Sequence, residues 1–174
     1  VKDPYKCSKG ELDDIHIGSL GRTIFDISNF YDHACIETLR TMGYPLNLAH
    51  LNVMPYLDLD GTSLSVLAQR AGMTRQSAWE LLRSLEAHGY LKRTPDPKNS
   101  RAHIIFYTDK GMDLHRDACL VMLRLEEDLA KRIGKKHLKS FGTQLQTLRA
   151  SYQAQPPAIT AESPQRKKAS PRRR

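Results

Sequence analysis

Apolar positions along the first third of the chain follow a helical period. From about Asp13 to Met42, Leu20, Ile24, Ile27, Tyr31 and Ala34 recur at spacings of three and four, and Phe25, Phe30, Ile36 and Leu39 widen the stripe. This pattern predicts one long amphipathic helix, ended by Gly43 and Pro45. A second helix is expected from about Leu48 to Asp58, with Asn47 as its N-cap and Pro55 weakening its last turn. Asp60-Gly61 then reads as a turn.

The next stretch changes character. Thr62 or Ser63 can cap a short helix carrying Leu64, Leu67 and Ala68, which Gly72 stops. Thr74 can cap a further helix, Arg75 to His88, with Ala78, Leu81, Leu82 and Leu85 on its apolar face. Gly89 suits the residue after its end, because glycine accepts a left-handed backbone. Two short helices joined at a glycine form a helix-turn-helix pattern. Tyr90–Arg93 follows as a short strand, Thr94–Ser100 as a polar loop with two prolines, and His103–Thr108 as a second β-prone run. Strand, loop and strand make a hairpin, here a wing behind the helix pair.

Thr108 or Asp109 can cap a long helix from about Lys110 to Ile133, with Met112, Ala118, Val121, Met122, Leu125 and Leu129 as apolar positions. Gly134 interrupts it. A last helix with Leu138, Phe141, Leu145 and Leu148 runs to about Tyr152. The expected fold is therefore mainly α with a small β-wing. A winged helix-turn-helix module at 44–108 is flanked by dimerisation helices at 13–43 and 109–152. Residues 1–12 read as a flexible N-terminus. Residues 153–174 are too rich in Pro, Ser and basic side chains to build a core, and read as a disordered basic tail.

Charge sharpens this picture less than its total suggests. The chain of 174 residues carries a formal net charge of +8. Arg166, Lys167, Lys168, Arg172, Arg173 and Arg174 supply most of it, against Glu162. The part expected to fold is only mildly basic, so bulk charge alone is a weak argument for nucleic acid. No apolar run approaches the roughly 18 residues that would span a membrane. Cys7, Cys35 and Cys119 are an odd set without a CxxC pair, which argues against a disulfide framework and for a reducing cytoplasm. Phosphate-binding, dinucleotide, zinc-protease and nucleophile-elbow motifs are absent, and no enzyme activity or cofactor is expected.

Four sequence blocks carry a resemblance. They are Leu64-Ser65-Val66-Leu67-Ala68-Gln69-Arg70-Ala71-Gly72-Met73-Thr74-Arg75-Gln76-Ser77, then Leu85-Glu86-Ala87-His88-Gly89-Tyr90-Leu91-Lys92-Arg93, then Asp96-Pro97-Lys98-Asn99-Ser100-Arg101-Ala102, and Thr108-Asp109-Lys110-Gly111. In order and spacing the chain resembles the MarR family of regulators. The architectural likeness runs from about Leu20 to Leu148, and the motifs from Leu64 to Gly111. Family wings usually carry Asp and Arg where this chain has Asn99 and Ser100, and Arg101 keeps the basic character. The resemblance implies a dimeric transcriptional regulator of double-stranded DNA. It also implies a small-molecule or redox signal sensed between the dimerisation helices and the winged module.

The residues themselves suit that role. An α-helix fits the DNA major groove, with its N-terminal half at the base edges. Gln76 can pair with adenine, and Arg75 or Arg83 can reach guanine or phosphate. The Thr74 and Ser77 hydroxyls suit phosphate at a helix N-terminus. Glu80 can accept from cytosine or merely repel phosphate, and Ser84 lies on the same expected face. Lys98, Asn99 and Arg101 form the wing tip, where a cation can enter a narrow minor groove. Trp79, at the stripe's edge, is expected to pack against a neighbouring helix. Cys35 reads as a buried, inert thiol. His115 and Cys119 have metal-pair spacing, but two ligands do not make a site, and no metal is expected. Asp113 and Asp117 read as solvated. A rival reading is a sequence-tolerant architectural DNA binder that relies on the basic tail.

Overall fold

The computed structural model describes residues 7–97 and 99–154, with the backbone alone at 99–101. Where the apolar period predicts one N-terminal helix, the chain forms two, α1 (Lys9–Ile17) and α2 (Leu20–Thr41). Capping is the reason. Ser8 Oγ accepts from the Glu11 N–H while the Glu11 carboxylate accepts from the Ser8 N–H, so α1 starts earlier than expected. Gly18 ends α1, and Ser19 caps α2 by accepting from the Arg22 N–H. Two local caps cut a stripe that periodicity reads as continuous.

The expected helix at Leu48–Asp58 is replaced by two 3-10 helices, Leu48–Asn52 and Met54–Tyr56. Pro55 has no N–H to continue an α-helical ladder, and Val53 before it leaves helical geometry with φ −120°. Asn47 does cap the first of these, exchanging hydrogen bonds with His50.

Thr62–Ser63 forms a short strand, β1, as well as starting the next helix. Ser63 caps α3 (Leu64–Arg70) and Thr74 caps α4 (Arg75–Ala87). Gly72 turns the chain between them in the left-handed region (φ 63°). The hairpin strands, β2 (Leu91–Asp96) and β3 (Asn99–Tyr107), run longer than expected. The antiparallel sheet has the order β1-β3-β2. Its registers are Thr62 opposite Ile105, and Leu91 and Arg93 opposite Tyr107 and Ile105. Pro95 is tolerated because β2 is an edge strand. Two further helices follow, α5 (Asp109–Ile133) and α6 (Lys135–Ala154), broken at Gly134. The fold is thus mainly helical with a small β-wing.

The chain divides into two compact units within α5, after Asp128. The core of the first unit joins Leu39 of α2, Leu67 of α3, Leu85 of α4, Tyr90, Ile105 of β3 and Leu114 of α5. Only the C-terminal half of α2 enters it. Leu20, Ile24, Phe25, Ile27 and Phe30 stay exposed. In the second unit, Phe141, Leu145, Leu148 and Tyr152 recur at helical spacing on α6, also exposed. Among the described residues no helix is long and apolar enough to cross a membrane.

The winged module is seated on α5 by a tight junction. The Gly111 N–H donates to Thr108 Oγ1 (3.0 Å), and that hydroxyl donates to the Gly89 carbonyl (2.6 Å). A Cβ on Gly111 would overlap the Tyr90 carbonyl. Both partners there are backbone, so neither can give way cheaply. Gly111→Ala is therefore expected to destabilise the chain by roughly 3 kcal/mol, read from the urea midpoint. An unchanged midpoint would mean that α5 does not seat against Tyr90.

Candidate nucleic-acid interface

Helix α4 owes its orientation to its pattern. Ala78, Leu82 and Leu85 are buried, while Thr74, Arg75, Gln76, Ser77, Glu80 and Arg83 are exposed. Burying one stripe forces the opposite, polar stripe into solvent. Thr74 Oγ1 accepts from the Ser77 N–H (3.1 Å) and lies 2.9 Å from the Ser77 hydroxyl. The two hydroxyls thus sit together at the helix N-terminus, where the helix dipole favours an anion. Gln76 Nε2 donates weakly to Glu80 Oε1 (3.4 Å). This contact sets the Gln76 amide along the helix face.

Ser84 differs from the other expected contact residues. It is half-buried, and its hydroxyl meets Nε2 of buried His50 at 3.1 Å. The helical period of α4 taken alone puts Ser84 on the outer face. The 3-10 helix that packs beneath α4 carries the histidine that engages it. The expected contact Lys98 lies outside the described residues. So do the side chains of Asn99 and Arg101, whose backbone belongs to β3.

Trp79 packs differently from the expectation of a helix neighbour. Its ring lies under the Arg93 guanidinium of β2, with Cζ 4.3 Å from the ring centroid. Arg93 Nε also donates to Glu86 Oε1 at 2.9 Å. Periodicity could not reveal this contact, because it joins a helix to a strand.

Other candidates resolve by burial and contact. Cys35 is buried, and burial with nearby Asp32 raises its thiol pKa, as suits an unreactive cysteine. Cys119 is exposed, with Sγ 3.8 Å from His115 Nε2. No group of three or more potential metal ligands occurs among the described residues. Asp113 pairs with Arg116. Asp117 is not simply solvated. It accepts from the Tyr44 hydroxyl at 2.5 Å and pushes that phenol up to about 12.

A helix pair with an exposed polar second helix, followed by a hairpin that completes a three-stranded sheet with β1, defines a winged helix-turn-helix protein. The sequence model of the MarR family matches residues 44–102, a span that holds the helix pair and β2 of this winged module. Solved structures agree on the fold. The transcriptional repressor CouR bound to a 23-mer DNA duplex is 22% identical with a TM-score of 0.63, covering 83% of this chain and 99% of its own. The S. aureus MepR–DNA complex is 18% identical with a TM-score of 0.62, covering 76% and 98%. The PcaV regulator from Streptomyces coelicolor, in complex with its natural ligand, is 15% identical with a TM-score of 0.58, covering 78% and 95%. No curated protein matches by sequence.

His50 gives α4 a pH-dependent support. Its Nδ1 accepts from the Asn47 N–H (3.2 Å), so the neutral ring carries its proton on Nε2, facing Ser84. Burial, and then the neighbouring His88, lower its pKa. Protonation would set two donors against each other at Asn47. The sign follows from linkage. Below the unfolded histidine pKa of about 6.5, the unfolded chain takes up a proton that the folded chain resists. The contribution is complete above that value and is lost as pH falls through the lower folded pKa. Thermal unfolding followed from about pH 7.5 to about pH 5 should therefore show a falling midpoint, with a smaller fall in His50→Gln. Equal falls in both would remove His50 as the cause.

Proposed function

We propose that this protein is a dimeric, sequence-specific double-stranded DNA-binding transcriptional regulator that recognises a palindromic operator. One observation carries the reading. A MarR-family module presents an exposed row of Arg75, Gln76, Glu80 and Arg83 on a helix whose other face is locked into the core. Arginine and glutamine can bond base edges bidentately in the major groove, and the Thr74–Ser77 hydroxyls suit phosphate. At the wing, Lys98, Asn99 and Arg101 are proposed to follow the backbone into the minor groove. Two solved relatives are in complex with DNA.

Dimerisation is supported by unpartnered apolar surface. Phe25 and Phe30 are 60% and 61% exposed, which is costly for a lone chain. Covering this face with a second copy would remove it from water. A two-fold axis would also set two recognition helices about 34 Å apart, one DNA turn. Release by a small molecule is proposed because PcaV, similar in fold, is in complex with its natural ligand. A redox signal would act on exposed Cys119 rather than buried Cys35.

Selection from random duplexes at near-physiological salt should enrich a palindrome with half-sites one turn apart. Binding that fades steeply with salt and enriches no sequence would favour the architectural reading, which the basic residues between Arg166 and Arg174 support. Removal of residues 155–174 separates the two. The regulator keeps its enriched motif with weaker affinity, whereas the architectural binder loses binding altogether. The dimer has its own check. Phe25→Asp with Phe30→Asp should sediment near the chain mass of 19.8 kDa, and the unaltered chain at twice that. An unaltered chain at the monomer mass would sink the dimer.

A further inference from the structure

We propose that Arg93 is a positioning residue for DNA recognition, holding the wing against helix α4 by stacking on Trp79 and pairing with Glu86. The inference rests on the DNA-binding reading above, and adds a residue that sets the geometry between its two contacting elements. Trp79 and Glu86 lie on one stripe of α4, seven residues and so about two turns apart. Arg93 of β2 spans them, with its guanidinium over the indole (4.3 Å to the centroid) and its Nε on the Glu86 carboxylate (2.9 Å). A planar guanidinium can stack by its face and donate by its edge at once. Lysine can keep the charge but not both contacts.

The strand register explains why Arg93 reaches the helix. Leu91 and Arg93 lie opposite Tyr107 and Ile105. Directly paired residues share a face of the sheet, and Leu91, Tyr107 and Ile105 are buried. Arg93 therefore continues the core-facing row of β2 outward to where the core ends. Its side chain is 34% exposed and that of Glu86 30%. Both are drawn well out of solvent without being sealed in. Past this point the hairpin continues toward its turn. The pair and the stack set the angle at which the wing leaves α4.

Pre-setting that angle affects binding more than folding. Partly exposed pairs add little to stability. A wing held in place before contact avoids an ordering cost on DNA. Losing the stack is expected to weaken binding to a selected duplex about tenfold, with little change in the unfolding midpoint.

The test compares Arg93→Lys, Arg93→Gln and Trp79→Leu, using a duplex recovered by selection. Positioning predicts similar losses in all three, with no added loss when Trp79→Leu and Arg93→Lys are combined, and with the salt dependence unchanged. A direct phosphate contact predicts instead that Arg93→Lys binds normally, and that Arg93→Gln lowers the salt slope by about one. That result would overturn the proposal. Hydrogen exchange of the β2 and β3 amides in the DNA-free protein supplies an independent measure. It should quicken in Arg93→Lys while amides of α2 and α5 keep their protection, and unchanged β2 and β3 exchange would also overturn the proposal. Faster exchange in a protein that binds no duplex would retain the helix-to-wing tie and refute the DNA-binding reading.

Discussion

The end of helix α4 and the start of α5 are joined through backbone, and much of the first unit is organised around that joint. The Thr108 N–H donates to the Tyr90 carbonyl (3.0 Å), and its hydroxyl to that of Gly89 (2.6 Å). Lys110 Nζ donates to the His88 carbonyl (2.8 Å) and lies over the Tyr90 ring. The last carbonyls of α4 are taken by the N–H groups of His88, Gly89 and Tyr90, and the carbonyls of those three residues are in turn answered by the start of the next helix. Gly111 lets the two backbones meet at this distance. Tyr90, 1% exposed, is the side chain around which the joint closes.

Three further supports hold α4 at other points. Thr74 caps its N-terminus, Ser84 is tied to buried His50 beneath it, and Trp79 with Glu86 is tied to β2 through Arg93. These contacts take the inner and lateral side chains and leave Arg75, Gln76, Glu80 and Arg83 exposed. A recognition surface benefits from this division. Long polar side chains need a fixed backbone if they are to discriminate base edges, because each added freedom is lost on binding. The supports differ in kind, and one of them, His50, responds to protons.

Much of the module was legible from local pattern. The stripe of Ala78, Leu82 and Leu85, the Thr74 cap, the turn at Gly72 and the stop at Gly89 each depend on residues within a few positions of one another. Such signals survive when a segment is considered alone. The break between α1 and α2 was also local, and its signal was Ser8 with Glu11 and then Gly18-Ser19, overridden by the longer apolar period. Pro55 likewise marked a weakness at Met54–Tyr56 that proved stronger than a kink. The candidate site was less legible at Ser84 and Trp79, because the groups that engage them come from distant segments.

By itself the sequence determined the helix pair at Leu64–Ala87, the apolar face of its second helix, the hairpin that follows and the two long C-terminal helices. It did so because caps, glycines and hydrophobic period act over short range. Only the tertiary structure decided that Ser84 turns to His50, that Asp117 accepts from Tyr44, that Arg93 bridges Trp79 and Glu86, and that β1 joins the sheet beside β3. Each of these is a single polar, stacking or edge contact between segments far apart in the chain. Such contacts leave no periodic trace and are set by the packing of the core that brings the segments together.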